Sequence, residues 1–147
     1  MKIAIGSDHA GYKAKETLKL ALAAAGHVVE DVGTRSEESV DYTDFALKVA
    51  EAVSKHGADR GIILCGTGIG SCIAANKVKG VRAALVHDGF TAEMSRRHND
   101  ANVLCLGARV LADDRIRELT RLWIDAPFDG GRHERRIGKI GDYEKKA

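Results

Sequence analysis

The chain predicts an open α/β fold in which a five-stranded parallel sheet is covered by helices on both faces. Three observations point there. Short runs rich in Val, Ile and Leu alternate five times with longer stretches of helical character. Two of those runs, at 62–64 and 82–86, read as continuous apolar strands, the pattern expected where helices lie on both sides. At 147 residues the chain has the size of one domain, 1–147, long enough to bury a core without disulfides or metal.

The elements follow in order. "KIAI" predicts the first strand and 11–25 the first helix, which Gly26 closes as a residue tolerant of a left-handed backbone. "HVVEDV" and 41–55 form the second pair, closed in the same way by Gly57. "GIIL" leads to a helix over 69–78, "RAALV" to one over 91–98, and "NVLCL" to one over 112–126. In this last helix Ile116, Leu119 and Trp123 recur at helical spacing, and Pro127 ends the run because it cannot continue the hydrogen-bond ladder. Residues 127–147 are poor in apolar side chains and form a C-terminal appendage, an arm available to an oligomer. Within it Arg132 and Arg136, four apart, would share one helix face as a two-armed anion clamp, or else lie in a solvated charged tail.

Composition narrows the function. With 44% hydrophobic and 30% charged residues the chain is a folded one. A net charge of +2 and 5% aromatics are too little for the basic, stacking surface of a nucleic-acid binder. The N-terminal "MKIAIGSDHAGYK" breaks its short apolar run at Asp8 and His9, which suits neither a signal peptide nor a membrane span, so a cytoplasmic protein without membrane contact is expected. Three cysteines without a C-x-x-C pair argue against a disulfide scaffold and a zinc ribbon. His, Cys and acidic residues show no metal-ligand spacing, and no metal or other cofactor is expected.

Right-handed crossovers gather the loops that follow strands on one rim, where open α/β folds bind ligands. Those loops are "SDHAGY", "GTRSEESVDY", "CGTGIG", "HDGF" and "GARVLAD". In "CGTGIG", Gly66, Gly68 and Gly70 let the backbone turn sharply and aim several N–H groups at one point beside a helix start, which suits a small anion. The spacing departs from the G-x-G-x-x-G of dinucleotide folds, although Asp88 lies at a tempting distance downstream, and no Walker A follows. A nucleotide- or phosphate-binding regulatory module is therefore one alternative.

Cys65 opens this turn, where amides and the helix dipole would stabilise a thiolate. Nucleophile, redox centre, proton-transfer base and inert buried thiol all remain open for it. A cysteine hydrolase would need His98 or His9 beside it. Cys72 and Cys105 fall inside a helix and a strand, as packing residues do. Asp8 and His9 end the first strand, and "HND" at 98–100 offers an imidazole with an amide next to it, suited to proton donation and to stabilising developing negative charge. His27 and His56 are read as structural; His87 and Asp88 receive no role, and His133 lies in the arginine arm.

Together "SDHAG", "DVGT", "DYTDFA", "ILCGTGIG", "IAANKVKGVRAAL", "SRRHNDANVLCLGARV" and "GGRHERRI" resemble the B-type ribose-5-phosphate isomerases, whose family also holds galactose-6-phosphate isomerase subunits. The resemblance runs from the first strand to about Arg136. It implies a Rossmann-like three-layer fold and metal-free interconversion of ribose 5-phosphate and ribulose 5-phosphate, a step of the non-oxidative pentose phosphate pathway. A six-carbon sugar phosphate, such as allose 6-phosphate or galactose 6-phosphate, is the alternative substrate. It further implies a homodimer or homotetramer with sites shared between subunits.

By position, Cys65 matches the base that moves a proton between C1 and C2 through a cis-enediolate. Backbone amides of "GTGIG" with Asn99 would hold the enediolate oxygen, Thr67 would position sugar hydroxyls, and His98 would open the furanose ring. Asp8 would bind hydroxyls and Tyr42 would line the pocket, while His9, Arg132 and Arg136, with Arg109 close by, would hold the phosphate. Some relatives place a glutamate base where Ser71 stands here, so Cys65 implies the cysteine-using branch.

Overall fold

The computed structural model describes residues 1–147. Its elements are β1 (Lys2–Ser7), α1 (Tyr12–Ala24), β2 (Val28–Asp31), α2 (Tyr42–Ser54), β3 (Arg60–Cys65), α3 (Ile69–Ala75), β4 (Ala83–Leu85), α4 (Gly89–Arg97), β5 (Val103–Gly107), α5 (Asp113–Asp125) and α6 (Arg132–Lys145). The five strands form one sheet in the order β2-β1-β3-β5-β4, and every neighbouring pair is parallel.

Strand residues alternate between two cores because successive side chains leave opposite faces of the pleat. Ile3, Ile5, Ile62, Leu64, Leu104 and Leu106 meet Leu18 and Leu22 of α1, Ala92 of α4 and Ile116, Leu119 and Trp123 of α5. Ala4, Ile63, Val103 and Cys105 meet Ala46, Val49 and Val53 of α2 and Ala75 of α3 on the other face. The three-layer architecture thus follows from the hydrophobic pattern, and α6 extends beyond it as the C-terminal helix.

Three local expectations are corrected. The strand at 82–86 is less deeply covered than expected: Ala84 and Val86 pack into one core and Ala83 against the other, but β4 is the sheet's edge and its three residues are only half-buried. Its apolar run therefore overstates its burial. Gly57 does not supply the left-handed residue after α2; His56 does, with φ 58°, in a conformation His adopts more readily than most side chains. The helix after β3 is shorter than its pattern, ending at Ala75, because Asn76 turns its side chain onto the backbone of Cys72 and Ala83. Gly26 closes α1 as expected, with φ 90°. Ala126, extended before Pro127, ends α5.

The one buried lysine ties the rim to this scaffold. Lys15 is 0% exposed, and its Nζ donates to Asp31 Oδ2 at 2.6 Å and to Glu16 Oε1 at 2.9 Å. Lys19 Nζ also reaches Asp31, at 2.7 Å, and Asp31 Oδ1 accepts the Gly33 N–H at 2.9 Å. Burial pushes the Asp31 carboxyl up, but the hydrogen bonds from Lys15, Lys19 and the Gly33 amide outweigh it and hold it below its usual value. The cluster pins β2 to α1 at the point where the long loop 33–41 begins.

Lys15→Ala breaks the buried ammonium's two contacts to the part-exposed Asp31 and Glu16 carboxylates and leaves a cavity, and should cost about 2–5 kcal/mol in urea unfolding. The Asp31 contribution is fully present above the ordinary carboxylate pKa of about 4 and is lost as pH falls through the lower folded value. Wild-type stability should accordingly drop more steeply with acidification below about pH 4 than that of Asp31→Asn.

Candidate active site

β3 ends in Cys65, which pairs with Gly107 at the end of β5. The thiol is 4% exposed, and Gly68 N–H donates to its sulfur at 3.1 Å. Gly68 has φ 82°, and a Cβ there would lie 2.6 Å from Leu85 Cδ1. A side chain is excluded twice over, by backbone angle and by space. Gly107 is equally constrained: a Cβ would lie 2.6 Å from the Thr67 carbonyl oxygen. The turn rests directly on the end of β5, and further bonds hold it there, Ala108 N–H to Cys65 O at 2.8 Å and Arg109 N–H to Gly66 O at 3.0 Å.

Other expected residues surround this turn. Arg109 lies against Gly66, its Nη1 3.5 Å from where a Cβ would stand, and Tyr42 lies over Gly70. Thr67 is exposed, with Oγ1 accepting the Ile69 N–H at 3.3 Å. Asp8, at the end of β1, is buried, and its Oδ1 accepts the Gly11 N–H at 3.1 Å, so one oxygen steadies the start of α1. His9 Nδ1 accepts the Val40 N–H at 3.2 Å. That bond assigns the neutral ring its proton on Nε2, which leaves a donor facing out of the loop. Asp8, His9, Tyr42, Cys65, Gly66, Thr67, Gly68, Gly70 and Arg109 therefore share one rim, as expected.

His98, Asn99, Arg132 and Arg136 do not join them. α4 runs back from the rim, so "HND" follows its last turn at the opposite edge of the sheet: the Gly61 N–H, at the start of β3, bonds to Asn102 O at 2.9 Å. Gly61 and Cys65 are four residues apart on one strand, about 13 Å at the usual rise. α6 stays at this second edge. His98 and His133 stack with ring centroids 4.1 Å apart and planes 7° from parallel, Asp129 N–H bonds to Arg97 O at 3.0 Å, and Gly80 N–H meets the Glu144 carboxylate at 3.0 Å. Arg132 and Arg136 flank the buried His133 and are exposed. The expectation of a helix face bearing both arginines holds; that of a single site on one rim does not hold within one chain.

The surrounding motifs also resolve. Asp88 is the N-cap of α4, its Oδ1 accepting Thr91 N–H at 2.7 Å and Thr91 Oγ1–H at 2.8 Å. Its carboxylate is taken up by the capping box, which weakens the nucleotide alternative. On the α2/α3 face Cys72 Sγ lies 3.5 Å from the Ala83 carbonyl and 3.5 Å from Asn76 Nδ2; the neighbouring Cys105 lowers the Cys72 thiol to about 7 against burial, while Cys105, beside Cys72 and itself buried, is pushed well above its usual value. Sequence spacing also missed a grouping of His98, Asp129 and His133, whose potential ligand atoms lie within 4.8 Å. Their geometry is that of a packed pair: parallel rings aim their lone pairs side by side, and Asp129 is paired with Arg97 at 3.1 Å. No helix is long and apolar enough to cross a membrane.

A parallel sheet with a cysteine on a glycine turn at its carboxyl rim, and imidazoles and arginines at the opposite edge, defines an α/β protein built to hold a small anionic ligand. More specifically, the chain belongs to the ribose/galactose isomerase family, whose model matches residues 3–140. The fold is similar to that of Clostridium thermocellum ribose-5-phosphate isomerase B, with a TM-score of 0.98, 55% identity and 99% of each chain covered. It is also similar to Mycoplasma genitalium ribose-5-phosphate isomerase B solved with bound ribulose-5-phosphate, with a TM-score of 0.96, 45% identity, and 99% of this chain and 97% of that one covered. A D-erythrulose-4-phosphate isomerase of Pectobacterium atrosepticum is 43% identical, over 98% of this chain and 95% of its own.

His133 generates a pH expectation. Burial, the neighbouring His98 and the flanking Arg132 and Arg136 lower its pKa, against Asp129. The unfolded chain then takes up a proton more readily than the folded one. Stability present above about pH 6.5 is lost as pH falls toward the lower folded value. Urea midpoints of wild type should therefore decline between neutral and mildly acid pH more than those of His133→Asn.

Proposed function

We propose that two copies of this chain assemble so that the Cys65 rim of one faces the His98 edge of the other, and that each composite site interconverts ribose 5-phosphate and ribulose 5-phosphate. The observation that carries this is the division of one chemically coherent set of side chains between opposite edges of the sheet, set against the family membership. A two-fold pair repeats such a contact twice, and each chain then contributes to both sites.

The division of labour follows from chemistry. His9 Nε2–H, Arg109 and the partner's exposed Arg132 and Arg136 hold the phosphate dianion by charge-assisted hydrogen bonds. His98 from the partner protonates the ring oxygen as the furanose opens. Cys65 Sγ, pinned by the Gly68 amide, takes the proton from C2 and returns it to C1. The negative charge developing on the enediolate oxygen meets amides of the glycine turn and the Asn99 side chain, donors already aimed before the charge appears. Thr67, Asp8 and Tyr42 orient the sugar chain between these groups. Such substrates are free, charged metabolites, consistent with a cytoplasmic protein.

Cys65→Ser should keep the fold and bind substrate yet abolish exchange of the C1 proton of ribulose 5-phosphate with deuterated water; persistent exchange would remove Cys65 from the base role. Mixing Cys65→Ser with Arg136→Ala tests the shared site. Random reassortment makes half the dimers mixed, each with one intact site, so roughly a quarter of wild-type activity should return. No recovery after demonstrated subunit exchange would refute sharing. Across four-, five- and six-carbon sugar phosphates, kcat/KM should favour the five-carbon pair by about tenfold or more, and a preference for D-erythrulose 4-phosphate or a hexose phosphate would reassign the substrate.

A further inference from the structure

Directly after His98 and Asn99, Asp100 adopts φ 44°, in the left-handed region that residues with a side chain enter seldom, Asp more readily than most. A conformation of this kind persists where its surroundings over-determine it. Two arginines do so here. Arg96 Nη1 donates to Asp100 Oδ1 at 2.8 Å and to the Ala101 carbonyl at 2.7 Å. Arg82 Nη2 donates to Asp100 Oδ2 at 3.2 Å and to the Asp100 carbonyl at 2.9 Å, and Arg82 Nε donates to the Asn99 carbonyl at 3.0 Å.

Both arginines are themselves anchored. Arg96 is 7% exposed, and its guanidinium lies 5.9 Å from the ring centroid of the fully buried Trp123. Arg82 leads into β4, and its own N–H donates to Asn102 Oδ1 at 2.8 Å. The Asp100 carboxylate is thus the joint between α4 and the start of β4. Glycine would satisfy the backbone angle unaided. What the two arginines add is direction, since Arg82 fixes the carbonyls of Asn99 and Asp100 while Arg96 fixes the Asp100 carboxylate and the Ala101 carbonyl, and hence the peptide planes of the turn that carries His98 and Asn99.

We propose that Asp100, clamped between Arg96 and Arg82, is a positioning residue that aims His98 and Asn99 at the substrate held on the neighbouring rim. This rests on the isomerase reading of those two side chains. Asp100 does not touch the sugar phosphate itself; it acts through the turn. Rigid support of this sort matters because small displacements of a proton donor from its target forfeit rate even where binding is kept.

The test uses the full-length enzyme. Asp100→Gly keeps the backbone angle and removes both carboxylate contacts, Asp100→Asn keeps one acceptor without the charge, and Arg82→Ala releases the two carbonyls while sparing the Arg96 pair. With circular dichroism and oligomer mass unchanged, Asp100→Gly and Arg82→Ala should lose about tenfold or more in kcat for ribose 5-phosphate while KM stays within about threefold, and Asp100→Asn should recover part of the loss. Folded variants of either kind turning over within about twofold of wild type would overturn the proposal, as would a loss that merely tracks the fraction unfolded. If Asp100→Gly does not fold, Arg82→Ala decides by the same criteria. His98→Ala and Asn99→Ala separate the two levels of inference. If both keep wild-type turnover, the isomerase reading of this turn falls and the positioning role with it; if they lose turnover and Asp100→Gly does not, only the positioning role falls.

Discussion

Everything distinctive about this molecule depends on its five strands running in the same direction. A parallel sheet gathers the loops that follow its strands at one edge and returns each crossover helix to the other. Cys65, Asp8 and His9 end strands, so they meet. His98 and Asn99 end a helix, so they are carried away from Cys65 by the length of β3. No adjustment of side chains within one chain bridges that separation. The same directionality that gathers one group of side chains thus keeps the other apart from it, and on the proposed assembly the second edge is completed by another copy.

At the rim, closeness of backbones substitutes for side chains. Gly107 accommodates the carbonyl of Thr67, and Gly68 accommodates Leu85. The glycine turn is thereby seated on the end of β5, and the amide that reaches the Cys65 sulfur is fixed by the sheet itself. Catalysis by preorganised dipoles requires that they not relax away from the charge they meet. Seating a flexible sequence on a rigid strand end reconciles the two needs, a tight turn and immobile donors.

The sequence disclosed what local rules determine. Strand runs, the stop at Pro127, the role of Gly26 and the gathering of Asp8, His9 and Cys65 follow from periodicity, proline and glycine stereochemistry, and crossover handedness. Features set by tertiary neighbours were hidden. The apolar run of β4 does not reveal that β5 inserts between it and β3, leaving β4 at the edge. His56, rather than Gly57, takes the left-handed angle. A lysine in an amphipathic helix gives no hint that Lys15 is wholly buried on Asp31, and His98 and His133, 35 positions apart in the chain, show no sign of their stack. Opposite-edge placement of "HND" was implicit in the helix direction, yet motif reading groups residues by chemistry and overlooks which end of the sheet each occupies.

The separation of the two half-sites has a bearing on abundance. On the proposed assembly, a solitary protomer is chemically idle, because its proton-transfer thiol and its imidazole lie at opposite ends of the sheet. Catalytic competence then scales with self-association, so specific activity is a property of concentration as well as of the chain. On that assembly, dilution below the association threshold silences the enzyme, and any agent that occupies either edge in the free protomer acts on a surface that vanishes once the pair has formed.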